Sequence, residues 1–177
     1  MHRSAHGRRQ SLMASFAAAL DGMCYALVTE RNTKIHFVGA CLVLVWNLCV
    51  RPPLPLVTAT IAAVCLVFSA ELVNTSVERL VDLAAGGRVH SLAKFAKDVA
   101  AAAVLMVSVG AVAVGGYVAV AMLPWHFRLW SLAHLGGALV SLVGLIFLFI
   151  LALCSWMRRK LYIYPIVSEE TNHGRRP

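Results

Sequence analysis

The chain has 177 residues, of which 60% are hydrophobic and 14% charged, and its mean hydropathy is +0.76. Soluble domains average roughly 45–50% apolar and about 25% charged residues, so this composition excludes an ordinary soluble protein. The net charge of +8 would suit a nucleic-acid-binding protein, but the basic residues lie beside long apolar runs and do not alternate with aromatic residues. We predict an integral membrane protein that binds no nucleic acid.

The first predicted element is an amphipathic helix that precedes the membrane spans, at about residues 11–31. Leu12, Phe16, Leu20 and Leu27 recur at helical spacing and would form one apolar stripe. A helix of this kind is expected to lie in the membrane interface rather than to cross the bilayer.

Four membrane spans follow, at about residues 35–50, 54–85, 93–123 and 129–156. A spanning helix needs roughly 20 apolar residues, which the third and fourth spans contain alone and the first two reach with helical extensions. Pro52 and Pro53 separate the first two spans, Gly86 and Gly87 end the second, and Pro124 follows the third. The predicted fold class is an all-α membrane bundle.

Lysine and arginine are distributed unequally between the two sides of these spans. Of the 16 such residues, only Arg51 and Arg128 lie in the loops after the first and third spans. The other basic residues lie before the first span, after the second or after the fourth. By the positive-inside rule, both termini and the loop after the second span are cytoplasmic.

The acidic residues gather at the same predicted cytoplasmic face. Eight are present, and only Glu169 and Glu170 lie in the C-terminal tail. The other six lie just before the first span, at the end of the second or just before the third: Asp21, Glu30, Glu71, Glu78, Asp82 and Asp98. Glu71 directly follows an apolar segment, which places it at or just inside the hydrocarbon boundary, where a charge is costly.

Glu71, Asn74, Glu78 and Asp82 are spaced i, i+3, i+7 and i+11 and therefore share one face of a helix. Three interpretations of this face are open: ion pairs that pin the bundle, a proton or ion relay, or a site that holds Mg²⁺ and phosphate. A relay needs polar groups across the membrane, whereas the fourth span contains no acids and the third contains none after Asp98 near its cytoplasmic end. The position at one interface favours the metal and phosphate site, since a soluble nucleotide and a membrane lipid can meet there.

The segment after the second span supplies the complementary charge. His90, Lys94, Lys97 and Asp98 lie close together, and the last three fit one helix face. Lysines beside a carboxylate cluster can bind phosphate oxygens. The alternative is a solvated loop whose charges only set topology, and for Lys94 the two interpretations are equally balanced.

Four segments carry a family resemblance: SFAAALDGMCYAL at residues 15–27, ERNTKIH at 30–36, ELVNTSVERLVD at 71–82 and HSLAKFAKDVAAAAVL at 90–105. In this order and spacing they resemble the small prokaryotic diacylglycerol kinase and undecaprenol kinase family. The resemblance implies three spans, an interfacial N-terminal helix, a bacterial inner membrane location and a homo-oligomer, usually a trimer with sites at protomer boundaries. It also implies transfer of the γ-phosphate of Mg-ATP to a lipid hydroxyl.

The resemblance also implies a role for each residue that matches the family's motifs. Glu71 corresponds to the general base and Asn74 to the residue that orients the substrate. Glu30 and Glu78 correspond to the carboxylates that hold Mg²⁺. The nucleotide contacts correspond to His90, Lys94, Lys97 and Asp98.

Two points distinguish this chain within the resemblance. The E-R-N-x-x-I-H and L-A-K-x-A-K-D forms favour undecaprenol as the substrate, with diacylglycerol as the alternative. Residues 1–124 form the predicted kinase domain, and residues 125–177 add a fourth span and a basic cytoplasmic tail that typical members lack. The rival from another class is a catalytically inactive membrane scaffold or small transporter.

Overall fold

The computed structural model describes residues 12–86, 88, 90–127 and 134–173, with the side chains of 160, 161 and 163–173 excepted. These residues form five helices: α1 (Leu12–Thr29), α2 (Arg31–Val50), α3 (Leu54–Ala85), α4 (Ser91–Ala121) and α5 (Leu135–His173). The all-α class is confirmed. The expected start of the fourth span at Leu129, the arginines before residue 11, and Gly87, Arg128, Trp130, Arg175 and Arg176 lie outside the described residues.

All five helices are long and apolar enough to cross a membrane, with the candidate span in α5 covering Leu135–Arg159. The apolar stripe expected on α1 is exposed in the first half of the helix and buried near its end. Leu12 and Phe16 are 80% and 69% exposed, whereas Leu27 is buried against α5. The apolar first half of α1 is therefore open to a lipid environment, and its orientation in the interface stays a prediction.

Backbone chemistry explains where the helices end. Arg51 follows the last residue of α2 in the left-handed conformation, and the rigid Pro53 precedes the first residue of α3. Gly86 ends α3 with φ of 55°, a conformation that costs glycine little because it has no Cβ. These two turns fold α2, α3 and α4 into an antiparallel arrangement.

The seam between α3 and α4 has a defined register. Lys97 on α4 forms an ion pair with Asp82 on α3, with Nζ and Oδ1 2.5 Å apart. The two helices are antiparallel, so residues equally far from this ion pair, in opposite sequence directions, face each other. Ser108 is 11 residues after Lys97 and Glu71 is 11 residues before Asp82, which places Ser108 opposite Glu71. Both residues line one cavity, as this register requires.

The additional helix α5 packs against α1, α2 and α3. Two buried clusters hold it, one centred on Leu151 with Cys24 and the other on Leu148 with Leu44. Gly137 lies so close to the turn before α3 that an added Cβ would come 2.8 Å from the carbonyl oxygen of Pro52. The C-terminal extension is thus an integral part of the bundle.

Candidate functional site

The residues of the polar face predicted on α3 become more exposed to solvent from Glu71 to Asp82. Glu71 is 1% exposed and Asn74 is 6% exposed. Glu78, two turns from Glu71, is half-buried, and Asp82 is exposed. The face therefore begins in the bundle interior, where a charged group needs compensation, and leads out to the solvated end.

Glu71 is surrounded by groups that bear on its charge. Nε2 of His36 lies 3.2 Å from Oε1 of Glu71. This oxygen nevertheless accepts no hydrogen bond from the described residues. Glu30 and Glu78 both act electrostatically on the Glu71 carboxylate. The three carboxylates predicted from the sequence thus lie close enough for their charges to interact. His36 of α2 lies beside one of them.

Asn74 fixes the position of Glu78. Its Nδ2 donates a hydrogen bond of 2.8 Å to Oε1 of Glu78, one helical turn away. Oδ1 of Asn74 is buried without a hydrogen-bond partner among the described residues. Asn74 therefore orients one carboxylate of the site and retains a free acceptor.

Glu30 lies at the start of α2 and is bound by an arginine of α3. Nη2 of Arg79 donates to Oε1 of Glu30 at 2.7 Å, and the Thr29 hydroxyl donates to the same oxygen at 3.3 Å. The Arg79 guanidinium also lies over the Tyr25 ring, 5.7 Å from its centroid. The pairing of carboxylates with Arg79 and Lys97, one of the three interpretations, is present for Glu30 and Asp82.

The four predicted nucleotide contacts lie on the first turns of α4, but they do not converge on one point. Nδ1 of His90 accepts a hydrogen bond from the Leu92 backbone and caps the helix. Lys97 is engaged by Asp82. The Lys94 and Asp98 side chains are exposed, and neither has a polar partner among the described residues.

A cavity of about 270 Å³ joins these elements. Its polar lining consists of Glu71, Asn74 and Glu78 from α3, Asn32 and His36 from α2, and Ser108 from α4, and apolar residues of α4 such as Val104 form the rest. We call it the acidic cavity. It brings together three of the eight site residues predicted from the sequence.

An apolar groove of about 320 Å³ continues from the acidic cavity along the same seam. His36 and Ser108 line both, so the two spaces meet at these residues. The groove walls come from α2, α3 and α4 and include Gly39, Val67 and Gly115. We call it the seam groove. Its apolar lining suits a hydrocarbon chain.

The donor set of the acidic cavity fits a hard cation only in part. Mg²⁺ is commonly held by one or two carboxylates together with phosphate oxygens and water. Glu78 lines the cavity and supplies such oxygens, whereas Glu30 lies outside the lining and is bound by Arg79. Within the described part of the chain no three His, Cys, Asp or Glu side chains form a metal cluster. The residues fit a metal shared with a nucleotide and not one caged by protein alone.

Three polar residues that line the site were not predicted from the sequence. Asn32 and His36 belong to the E-R-N-x-x-I-H segment, but no role was assigned to them. Ser108 sits in an apolar helix, and its buried hydroxyl has no hydrogen-bond partner among the described residues. The signal that could have found Ser108 is its distance along the sequence from Lys97. If the pairing of Lys97 with Asp82 is known, the 11-residue separation places Ser108 beside Glu71.

The family model for prokaryotic diacylglycerol kinase matches residues 17–119, which is more than half of the chain. The chain belongs to this family. The matched segment extends from α1 to nearly the end of α4, so the membership covers every residue of the acidic cavity and leaves α5 outside.

Two relatives are similar to this chain over about 100 residues each. A Synechocystis protein named diacylglycerol kinase is 41% identical over 107 residues, which is 60% of this chain and 61% of the relative. A Bacillus subtilis protein named undecaprenol kinase is 39% identical over 97 residues, or 54% of this chain and 76% of the relative. The chain thus matches less than two thirds of the Synechocystis protein. No solved structure matches the chain significantly.

Proposed function

We propose that this protein is a membrane lipid kinase that transfers the γ-phosphate of Mg-ATP to the hydroxyl of a lipid alcohol. The observation that carries the proposal is the buried carboxylate of Glu71, which lies where the apolar seam groove meets the acidic cavity. A lipid chain in the groove would bring its terminal hydroxyl to this carboxylate. The nucleotide would approach from the solvated end of α3 and α4.

Glu71 acts as the general base in this proposal. The lipid hydroxyl oxygen attacks the γ-phosphorus, its proton passes to the Glu71 carboxylate, and the bond from the γ-phosphorus to the bridging oxygen breaks to release ADP. His36, 3.2 Å from Glu71, orients the carboxylate. The burial of Glu71 keeps bulk water from the reacting oxygen and so disfavours hydrolysis of ATP.

Glu78 and Glu30 are proposed to hold Mg²⁺, which would neutralise charge on the phosphates. Asn74 orients Glu78 through their hydrogen bond. Arg79 already binds Glu30, so Glu30 must share its carboxylate or release this arginine when a metal arrives. His90, Lys94, Lys97 and Asp98 are proposed to contact the nucleotide from the first turns of α4.

Undecaprenol is the proposed substrate, with diacylglycerol as the second candidate. Two motif forms in the sequence favour undecaprenol, and the apolar lining of the seam groove, which includes Gly39 and Gly115, would accommodate part of its hydrocarbon chain. Relatives carry both names. We further propose that the protein lies in the bacterial inner membrane with the acidic cavity on the cytoplasmic side. We also propose that it assembles as a homo-trimer.

The test is phosphate transfer by the purified full chain in micelles with Mg-ATP, with undecaprenol and diacylglycerol offered separately. We expect transfer to undecaprenol, and a fall of about 100-fold or more in Glu71→Gln, since a general base contributes roughly 10²–10⁴-fold. Asp21→Asn is the matched control, because it removes a carboxylate that lines neither cavity. Absence of transfer to either lipid, or full activity in Glu71→Gln with an unchanged melting temperature, would refute the proposal.

A further inference from the structure

A third cavity, of about 500 Å³, lies between α1, α2 and α5. It shares no lining residue with the acidic cavity or the seam groove. Lys34 and Phe37 line it from α2, whereas His36 and Gly39 line the other two spaces. With 3.6 residues per turn, these two sets lie on opposite faces of α2. The third cavity is therefore separate from the proposed catalytic site, and we call it the rear groove.

Two cations line the predicted cytoplasmic end of the rear groove. Lys34 comes from the first turns of α2, and Arg159 from α5 where its apolar segment ends. Both are exposed, and neither pairs with a carboxylate among the described residues. The neighbouring Arg158 pairs instead with Asp21. Two like charges facing one space repel each other, so an anion between them would be stabilised.

The rest of the rear groove is apolar except for Ser155, whose hydroxyl donates to the carbonyl oxygen of Leu151, and it extends along α2 and α5 away from the two cations. Phe37 and Val38 line it one turn along α2 from Lys34, and Ala152 lines it two turns along α5 from Arg159. Trp156 stands at the rim, 73% exposed. A free phosphate or nucleotide would leave this apolar wall uncovered, whereas an acyl chain would cover it. Basic pockets between membrane helices on the cytoplasmic side are typical sites for anionic headgroups.

We propose that the rear groove binds an anionic phospholipid, with its phosphate between Lys34 and Arg159 and one acyl chain along Phe37, Val38 and Ala152. α5 supplies half of this site, so the C-terminal extension gives the protein a lipid contact that the segment matched by the family does not contain. The site does not depend on the proposed lipid kinase activity, because no residue of the acidic cavity takes part.

The test measures lipid binding by delipidated full chain in a neutral detergent, with native mass spectrometry and melting temperature as readouts. Phosphatidylglycerol and phosphatidylcholine with the same chains are the two lipid probes. We expect wild type to bind phosphatidylglycerol roughly tenfold or more tightly than Lys34→Gln/Arg159→Gln, since each cation near an anionic headgroup contributes attraction. Arg88→Gln/Lys94→Gln removes the same charge at exposed positions that do not line the rear groove and should bind as wild type does.

Two further measurements separate a lipid site from general electrostatic attraction. Ala152→Phe fills the apolar wall and leaves both cations in place, so it should weaken phosphatidylglycerol binding several-fold. Leu153→Phe, at an exposed neighbouring position that does not line the groove, should not. Equal binding by Lys34→Gln/Arg159→Gln and by Arg88→Gln/Lys94→Gln would overturn the proposal. So would equal binding of phosphatidylcholine by wild type, or equal protection of wild type by glycerol phosphate, which has no chain.

Discussion

At the scale of single residues, the site depends on carboxylates that the fold holds at different depths. Glu71 is buried, so its charge lacks hydration and depends on His36 and on whatever occupies the cavity. Glu78 is half-buried and receives a hydrogen bond, and Glu30 is bound by Arg79. This gradient suits a base at the buried end and metal-binding groups nearer to the solvent.

Asn74→Ala should weaken the response to Mg²⁺ more than it lowers the maximal rate. The substitution removes the 2.8 Å hydrogen bond that orients Glu78, and a hydrogen bond to a charged group contributes about 1.5–3 kcal/mol. We therefore expect the KM for Mg²⁺ to rise roughly tenfold or more. Titration of the transfer rate against Mg²⁺ measures this, and Ser76→Ala, at an exposed position of α3, serves as the control. An unchanged KM would remove Asn74 from the proposed metal site.

At the scale of helices, the sequence predicts well where each helix ends. It predicts poorly which face of a helix packs against its neighbours. Pro53 and Gly86 mark the two turns because their backbone chemistry is local. By contrast, the contact between Arg79 and Glu30 joins residues 49 positions apart. α2 is apolar almost all round, so its sequence pattern does not indicate which face meets α3, and for that reason His36 was not placed beside Glu71 in advance.

Gly115→Phe should raise the KM for the lipid and leave the KM for ATP unchanged. An added Cβ at Gly115 meets no atom within 4 Å, and the residue lines the seam groove, so the ring would occupy space proposed for the lipid chain. Gly110→Phe is a matched control, since it lies on the same helix in equally open space but does not line the groove. Equal kinetic parameters in the two variants would show that the lipid chain binds elsewhere.

Tyr162→Ala in α5 should affect the proposed metal site through α1. The Tyr162 ring packs edge-on against Tyr25 at 5.7 Å, and Tyr25 in turn lies beneath Arg79, which binds Glu30. Loss of the ring frees Tyr25, so we expect the KM for Mg²⁺ to rise several-fold while the rate at saturating Mg²⁺ is retained. Met157→Ala, on an exposed position of α5, is the control. Identical Mg²⁺ titrations for the two variants would argue against this coupling.

At the scale of the whole molecule, α5 is packed into the bundle closely enough for one substitution to test it. An added side chain at Gly137 collides with the Pro52 carbonyl and Val57, whereas at the adjacent Gly136 it meets only Leu54 at 3.9 Å. Gly137→Leu should therefore destabilise the protein by about 1–3 kcal/mol, the usual cost of overpacking. Gly136→Leu should not. Melting temperatures in micelles compare the two, and equal values would mean that α5 is only loosely attached.

The single copy described forms the acidic cavity from one chain, whereas the family resemblance implies sites at protomer boundaries. Glu71 and Ser108 face each other across the seam in the register set by Asp82 and Lys97, all within one copy. The outward side of α4 nevertheless leaves large apolar residues open, such as Met106 at 72% exposure. Further copies can cover this surface without dividing the α3–α4 seam between chains.

Co-expression of two defective chains tests this arrangement. We expect a mixture of Glu71→Gln and Lys97→Met chains to transfer no more phosphate than either variant alone, because every seam then contains one of the two defects. If Glu71 of one copy worked with Lys97 of another, mixed oligomers would regain a complete site and a substantial fraction of the wild-type rate. Mixing wild-type with Glu71→Gln chains provides the control for assembly, since activity should then follow the wild-type fraction. Recovery in the doubly defective mixture would place the boundary between copies within the seam itself.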